Sequence, residues 1–221
     1  MALGRREFLA YAAGAMSTRL ALASARATPP APSPPCRVLP VPGECSLPES
    51  TLGYRAALAD LRAPLLVVPA VMELPRDFVT RVLGQLQAGG TVVVESGAGF
   101  SGHAKFRQHR HALHGAFGID VTAPLDLWAA ARRAPYVDYT WPTPATVRDF
   151  SRVVPVAAHE GTIIGWADGM PVALRREIGA GTLIFLGSPL GPALWAGDRE
   201  ARRWLRNVLA TVSAPPRADA R

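Results

Sequence analysis

Four of the five histidines, His103, His109, His111 and His114, fall within twelve residues, interleaved with Lys105, Arg107 and Arg110. Imidazole is the commonest metal ligand and titrates near neutral pH, so this cluster is the first place to look for chemistry. A metal needs its ligands on one face. On a helix only His111 and His114 are neighbours, at i,i+3, and His103 is expected to precede the helix. The cluster therefore reads as a solvated basic helix face, and neither a metal nor any other cofactor is expected. Ser96 is the candidate nucleophile. In Glu95-Ser96-Gly97-Ala98-Gly99 it does not stand in a G-x-S-x-G frame, so the strained exposure that activates an elbow serine is not indicated, and a small residue in a strand-to-loop turn is the simpler reading. Glu95 ends a run of apolar residues. A carboxylate there either faces the crevice where open α/β sheets bind ligands or accepts hydrogen bonds from the amides of Gly97 to Gly99. Cys36 and Cys45 are the two cysteines and are close enough in sequence to close a small disulfide loop in an oxidising compartment. No phosphate loop or dinucleotide fingerprint is present.

The elements that would position these residues alternate. Leu65 to Pro69 and Thr91 to Val94 are continuous apolar runs, as strands buried on both faces require. Between them Phe78, Val79, Val82, Leu83 and Leu86 repeat at helical spacing from Pro75 to the stop at Gly89-Gly90, which predicts a βαβ unit with a right-handed crossover. Arg37 to Val41 is expected as a first strand, Tyr54 to Leu61 as a short helix and Lys105 to Phe117 as another. From residue 136 the pattern turns to short runs, 136–141, 153–157, 162–166 and 171–175, read as antiparallel strands with a turn at Ala167-Asp168-Gly169. Thr182 to Leu186 is again a buried run, and a last amphipathic helix starts at Asp198 as N-cap.

The charge balance is basic, with 24 Lys and Arg against 17 Asp and Glu. Four of the cations and one acid lie in residues 1–27, and every cation but Lys105 is arginine, so no basic stripe with interleaved aromatics remains and nucleic acid is not an expected partner. The N-terminus is an address. Arg5-Arg6-Glu7-Phe8-Leu9, an Ala- and Gly-rich apolar stretch and A-x-A sites ending at Ala25 and Ala27 resemble a twin-arginine export signal. Gly4, Ala10 and Arg19 depart from its usual pattern, and Arg19 interrupts any membrane-spanning stretch. The resemblance implies removal of residues 1–27, the export machinery as a partner, and delivery of a folded protein to the periplasm without a stable membrane span. Residues 28–35 read as a Pro-rich linker, 36–213 as the domain, and 214–221 as a disordered tail.

Three segments resemble, in order and spacing, the class I glutamine amidotransferase-like superfamily: 65–69, the helix leading into Gly89-Gly90-Thr91-Val92-Val93-Val94-Glu95-Ser96-Gly97, and Ile178 to Pro189. The likeness is to its non-catalytic members, such as the middle domain of family 42 beta-galactosidases and ThuA-like domains. It implies an α/β, flavodoxin-like, three-layer domain whose central sheet is mostly parallel, with antiparallel strands added in the C-terminal half. Working enzymes of the superfamily carry a nucleophilic Cys where this chain has Gly97, and a His followed by Pro-Glu where it has Ser188-Pro189-Leu190. Without thiolate or base the ancestral reaction is lost. The expected function is therefore that of an exported non-catalytic domain that binds a partner protein or a small, carbohydrate-related ligand. The alternative is a hydrolase or amidotransferase-type enzyme using Ser96. The expected ligand edge joins Pro69 to Glu73, Glu95 to Ser101 and Ser188 to Gly191, with Glu95, Ser96, Gly97, Gly99 and Ser188 as binding residues.

Overall fold

The computed structural model describes residues 34–40, 47–72, 74–96, 103–127, 135–150 and 152–213. The expected export signal with Arg5, Arg6, Phe8 and Leu9, the expected tail, Cys45, Gly97 and Gly99 lie outside them. Arg37–Val38 (β1) and Pro48–Leu58 (α1) precede Leu65–Val71 (β2), and Arg76–Gln87 (α2) carries the chain to Thr91–Ser96 (β3). His103–Phe117 (α3) runs into Ile119–Val121 (β4). Short strands follow at Tyr136–Tyr139 (β5), Ala145–Arg148 (β6), Val156–His159 (β7), Thr162–Ala167 (β8), Met170–Ile178 (β9) and Gly181–Leu186 (β10). Gly191–Trp195 (α4) and Arg199–Ser213 (α5) come last. His103 opens α3 rather than preceding it, and α1 begins at Pro48, a residue whose fixed φ suits a first turn.

The expected βαβ core is present: β2 and β3 pair in parallel, with Leu65 opposite Thr91 and Val68 opposite Val94. β1 extends the parallel set on one side and β10 on the other, Leu186 lying opposite Glu95. Among the described residues the main sheet runs β1-β2-β3-β10-β9-β8-β5-β6, and a separate pair joins β4 to β7. The expectation of a mostly parallel, flavodoxin-like sheet needs correction here. From β10 outward every neighbour is antiparallel, so the sheet is mixed and antiparallel pairs are the majority. The reason is local. β8, β9 and β10 are joined by turns too short for a crossover helix, and parallel neighbours need a dozen residues or more between them. Asp168 (φ 50°) and Gly169 (φ 78°) both take the left-handed conformation that a two-residue hairpin turn demands.

Alternation along the strands sorts two cores. Val67, Val93, Ile184 and Leu186 face Tyr54 and Leu58 of α1, Leu194 of α4 and Trp204, Leu205 and Val208 of α5. Leu66, Val68, Val92, Val94, Leu183 and Phe185 face Phe78, Val82 and Leu86 of α2 and Phe106, Leu113 and Phe117 of α3. Helices thus cover both faces of the parallel part, as strands without a polar face require. α5 begins as expected, the Ala201 amide donating to Asp198 Oδ1 at 3.0 Å. None of the helices among the described residues is long and apolar enough to cross a membrane.

Candidate functional site

Glu95 is the last acid on β3 and is fully buried. By the alternation above its carboxylate leaves the sheet toward α1 and α4, the face that Val93 also takes. Five donors converge on it. Ser50 Oγ and Tyr54 Oη on α1 donate, the latter at 2.7 Å. The Ala70 amide donates at 3.0 Å from the point where the β2–β3 register breaks. The amides of Leu190 and Gly191 donate at 2.6 and 3.1 Å from the start of α4. An ionised carboxylate offers about four lone-pair sites and accepts only, so this cage is complementary to the anion. Burial pushes the Glu95 carboxyl above its ordinary range, and hydrogen bonds from Ser50, Tyr54, Ala70 and Gly191 pull it back. Leu190 caps α4 with no side-chain hydrogen bond, so the carboxylate from β3 serves as a remote cap.

The cage requires α1 and α4 to touch backbone to backbone. A methyl group at Gly53 would overlap the Gly191 carbonyl, and one at Gly191 would overlap Ser50. Ser50, Gly53 and Tyr54 recur at i, i+3 and i+4, so all three sit on the face of α1 turned to β3 and α4. Ser50 and Tyr54 are the residues that sequence reasoning missed. The signal was there in that spacing, ahead of the point where the helix was expected to start.

Ser96 points the other way. Its neighbour Glu95 faces α1, so the Ser96 hydroxyl faces α3, where it lies 2.8 Å from His109 Nε2. Both residues are buried. Burial lowers the His109 pKa to about 4, leaving a neutral ring at physiological pH. His109 completes an apolar stripe with Phe106, Leu113 and Phe117, whereas His111 and His114 are exposed. His114 Nδ1 meets Asp120 Oδ1 at 3.0 Å. A solvated histidine face therefore holds for His111 and His114 but not for His109. Beside His109 a surface cavity of about 330 Å3 is lined by Leu74, Pro75, Arg76 and Gln108. Among the described residues no group of three or more His, Cys, Asp or Glu side chains could hold a metal ion.

Ser188 follows β10 and is also buried, donating at 2.7 Å to Asp149 just past the end of β6. Glu95 and Ser188 lie at the ends of neighbouring strands, since Leu186 lies opposite Glu95 and the chain just beyond Ser188 donates to it. The structure does not bring Glu95, Ser96 and Ser188 into one group. Each is committed to a different partner, and Glu95 and Ser96 lie on opposite faces of the sheet. Cys36 is half-buried and has no disulfide partner among the described residues; Cys45 lies outside them.

This fold occurs within larger glycosidases. The chain superposes on alpha-L-fucosidase isoenzyme 2 from Paenibacillus thiaminolyticus with a TM-score of 0.55 and 12% identity, covering 81% of this chain and 32% of that one. For a beta-galactosidase from Rahnella sp. R3 the values are 0.54 and 13%, covering 83% and 32%. For the exo-beta-1,4-mannosidase Op5Man5 from Opitutaceae bacterium strain TAV5 they are 0.53 and 14%, covering 80% and 36%. The chain spans about a third of the length of each, and at such identities the likeness is one of fold alone. No protein-family model matches the chain, nor does any curated protein sequence.

Proposed function

We propose that this chain is an exported, non-catalytic domain of the glutamine amidotransferase-like kind that binds a partner protein or a small carbohydrate-related ligand in the periplasm. The observation that carries the reading is the Glu95 cage. At the strand end where the superfamily's enzymes present a nucleophile, this chain places a carboxylate whose acceptor capacity is filled from within, next to a serine turned to the opposite face of the sheet. Such a carboxylate fastens α1, β2, β3 and α4 together and has no capacity left for a substrate. The fold's occurrence within a fucosidase, a beta-galactosidase and a mannosidase supports the carbohydrate side of the reading, as does the beta-galactosidase likeness seen in the motifs. Ligand contact is assigned to the main chain at this strand edge rather than to its inward-turned side chains. Incubation of the purified chain with glutamine and with aryl ester and aryl glycoside substrates tests the reading, and no product is expected.

The alternative, a hydrolase using Ser96, is favoured by one observation: a neutral imidazole within hydrogen-bonding distance of the serine hydroxyl. Burial of both residues weighs against it, because a nucleophile must meet its substrate. Turnover that disappears in Ser96→Ala would establish this alternative. Export rests on Arg5-Arg6 with Phe8 and Leu9. Replacement of the arginine pair by two lysines should leave the protein in the cytoplasmic fraction.

A further inference from the structure

A second concavity, sharing no residue with the Glu95 cage or the Ser96–His109 pair, opens between the last turn of α1 and the middle of α5. Its volume is about 320 Å3, within the range of small-molecule sites. Its apolar lining includes Ala56, Ala57 and the buried Leu205, so small side chains on α1 leave the space that α5 bounds. Arg202 and Arg206 line it from α5, four residues and therefore about one turn apart. Asp60, just past α1, lines it as well.

These three charges are exposed and none is ion-paired with another described residue. Asp60 therefore stands more than 4.0 Å from both guanidinium groups although all three line one cavity. Two cations a turn apart repel each other, and a bound anion removes that repulsion. Guanidinium forks match a carboxylate's two oxygens, whereas the Asp60 carboxylate can only accept. A ligand complementary to both sides has an anionic end and a donating end.

We propose that this cavity binds a small carboxylate that carries hydrogen-bond donors at its other end, its carboxylate held by Arg202 and Arg206 and its donors by Asp60. Uronic acids and amino acids share this chemistry, and the assignment does not rest on the carbohydrate reading above. Isothermal titration calorimetry of the full chain with D-glucuronate and with L-leucine separates the two sources. D-glucose, which lacks the carboxylate, and acetate, which lacks the donors, are the controls. Saturable binding of glucuronate or leucine is expected, with acetate and glucose binding at least about tenfold more weakly. Affinity should fall at least about tenfold when Arg202→Gln and Arg206→Gln are combined, and should also fall in Asp60→Asn. The glutamines keep much of the stems' packing on α5, and an unchanged melting temperature confirms that the fold is intact. Absence of saturation by either carboxylate at about 10 mM, equal binding of acetate or glucose, or affinity unchanged in the arginine double variant would overturn the proposal.

Discussion

The phenol of Tyr54 donates to Glu95 at 2.7 Å, joining α1 to the end of β3 across 41 positions of chain. With Ser50 from the same helix, it gives a buried carboxylate the partners without which its burial would cost several kcal/mol. Glu95→Gln keeps the size but replaces an acceptor oxygen with a donor facing groups that themselves donate. Stability in urea denaturation should fall by about 2–4 kcal/mol, and Tyr54→Phe should cost about 1–2 kcal/mol. The double variant should lose less than the two together, because both act on one network. A Glu95→Gln chain as stable as its parent would show that the cage does not hold the fold.

The contact of α1 with α4 makes a paired prediction about two glycines. Gly53→Ala drives a methyl into the Gly191 carbonyl, backbone that cannot turn aside, and should cost at least about 3 kcal/mol or prevent folding. Gly84 lies in α2, where an added methyl would meet nothing within 4 Å, so Gly84→Ala should stabilise by about 0.5–1 kcal/mol. Chemical denaturation of the two variants, read in parallel, checks both signs.

His109 should make stability depend on pH. Its folded value near 4 lies below the ordinary 6.5, so the unfolded chain takes up the proton first on acidification. The contribution is complete above pH 6.5 and is lost as pH falls from there toward 4, amounting to about 3 kcal/mol at most. Glu95, with its value raised, acts in the opposite sense, contributing less as pH rises past the ordinary carboxyl range. Comparison with His109→Gln isolates the histidine, because the Glu95 contribution is common to both chains. From pH 7 to pH 4 the parent should lose stability relative to His109→Gln, as read by denaturation midpoints. Parallel curves would place the titrating group elsewhere.

The apolar runs of β2, β3 and β10 and the helical spacing of α2 and α5 were legible because each follows from burial alone. Strand direction was not fully legible. Thr182 to Leu186 is apolar throughout, yet β10 is parallel to β3 on one side and antiparallel to β9 on the other, and a buried run carries no record of its neighbours' direction. Glu95 was legible as a strand-end carboxylate, but its partners Ser50 and Leu190 lie 45 and 95 positions away and meet it only when the sheet closes. His109 was obscured by its company. Its basic neighbours suggested solvent, whereas its spacing to Phe106 and Leu113 placed it on the buried stripe.

Under the proposed function, this strand edge holds the fold and does no chemistry. A fluorophosphonate probe, which phosphonylates an activated serine, tests it most directly when read by intact mass and by peptide mapping. An unmodified chain is expected under conditions that fully label a serine hydrolase control, with the parent and Ser96→Ala indistinguishable. Stoichiometric labelling of Ser96, together with ester turnover that Ser96→Ala abolishes, would contradict it.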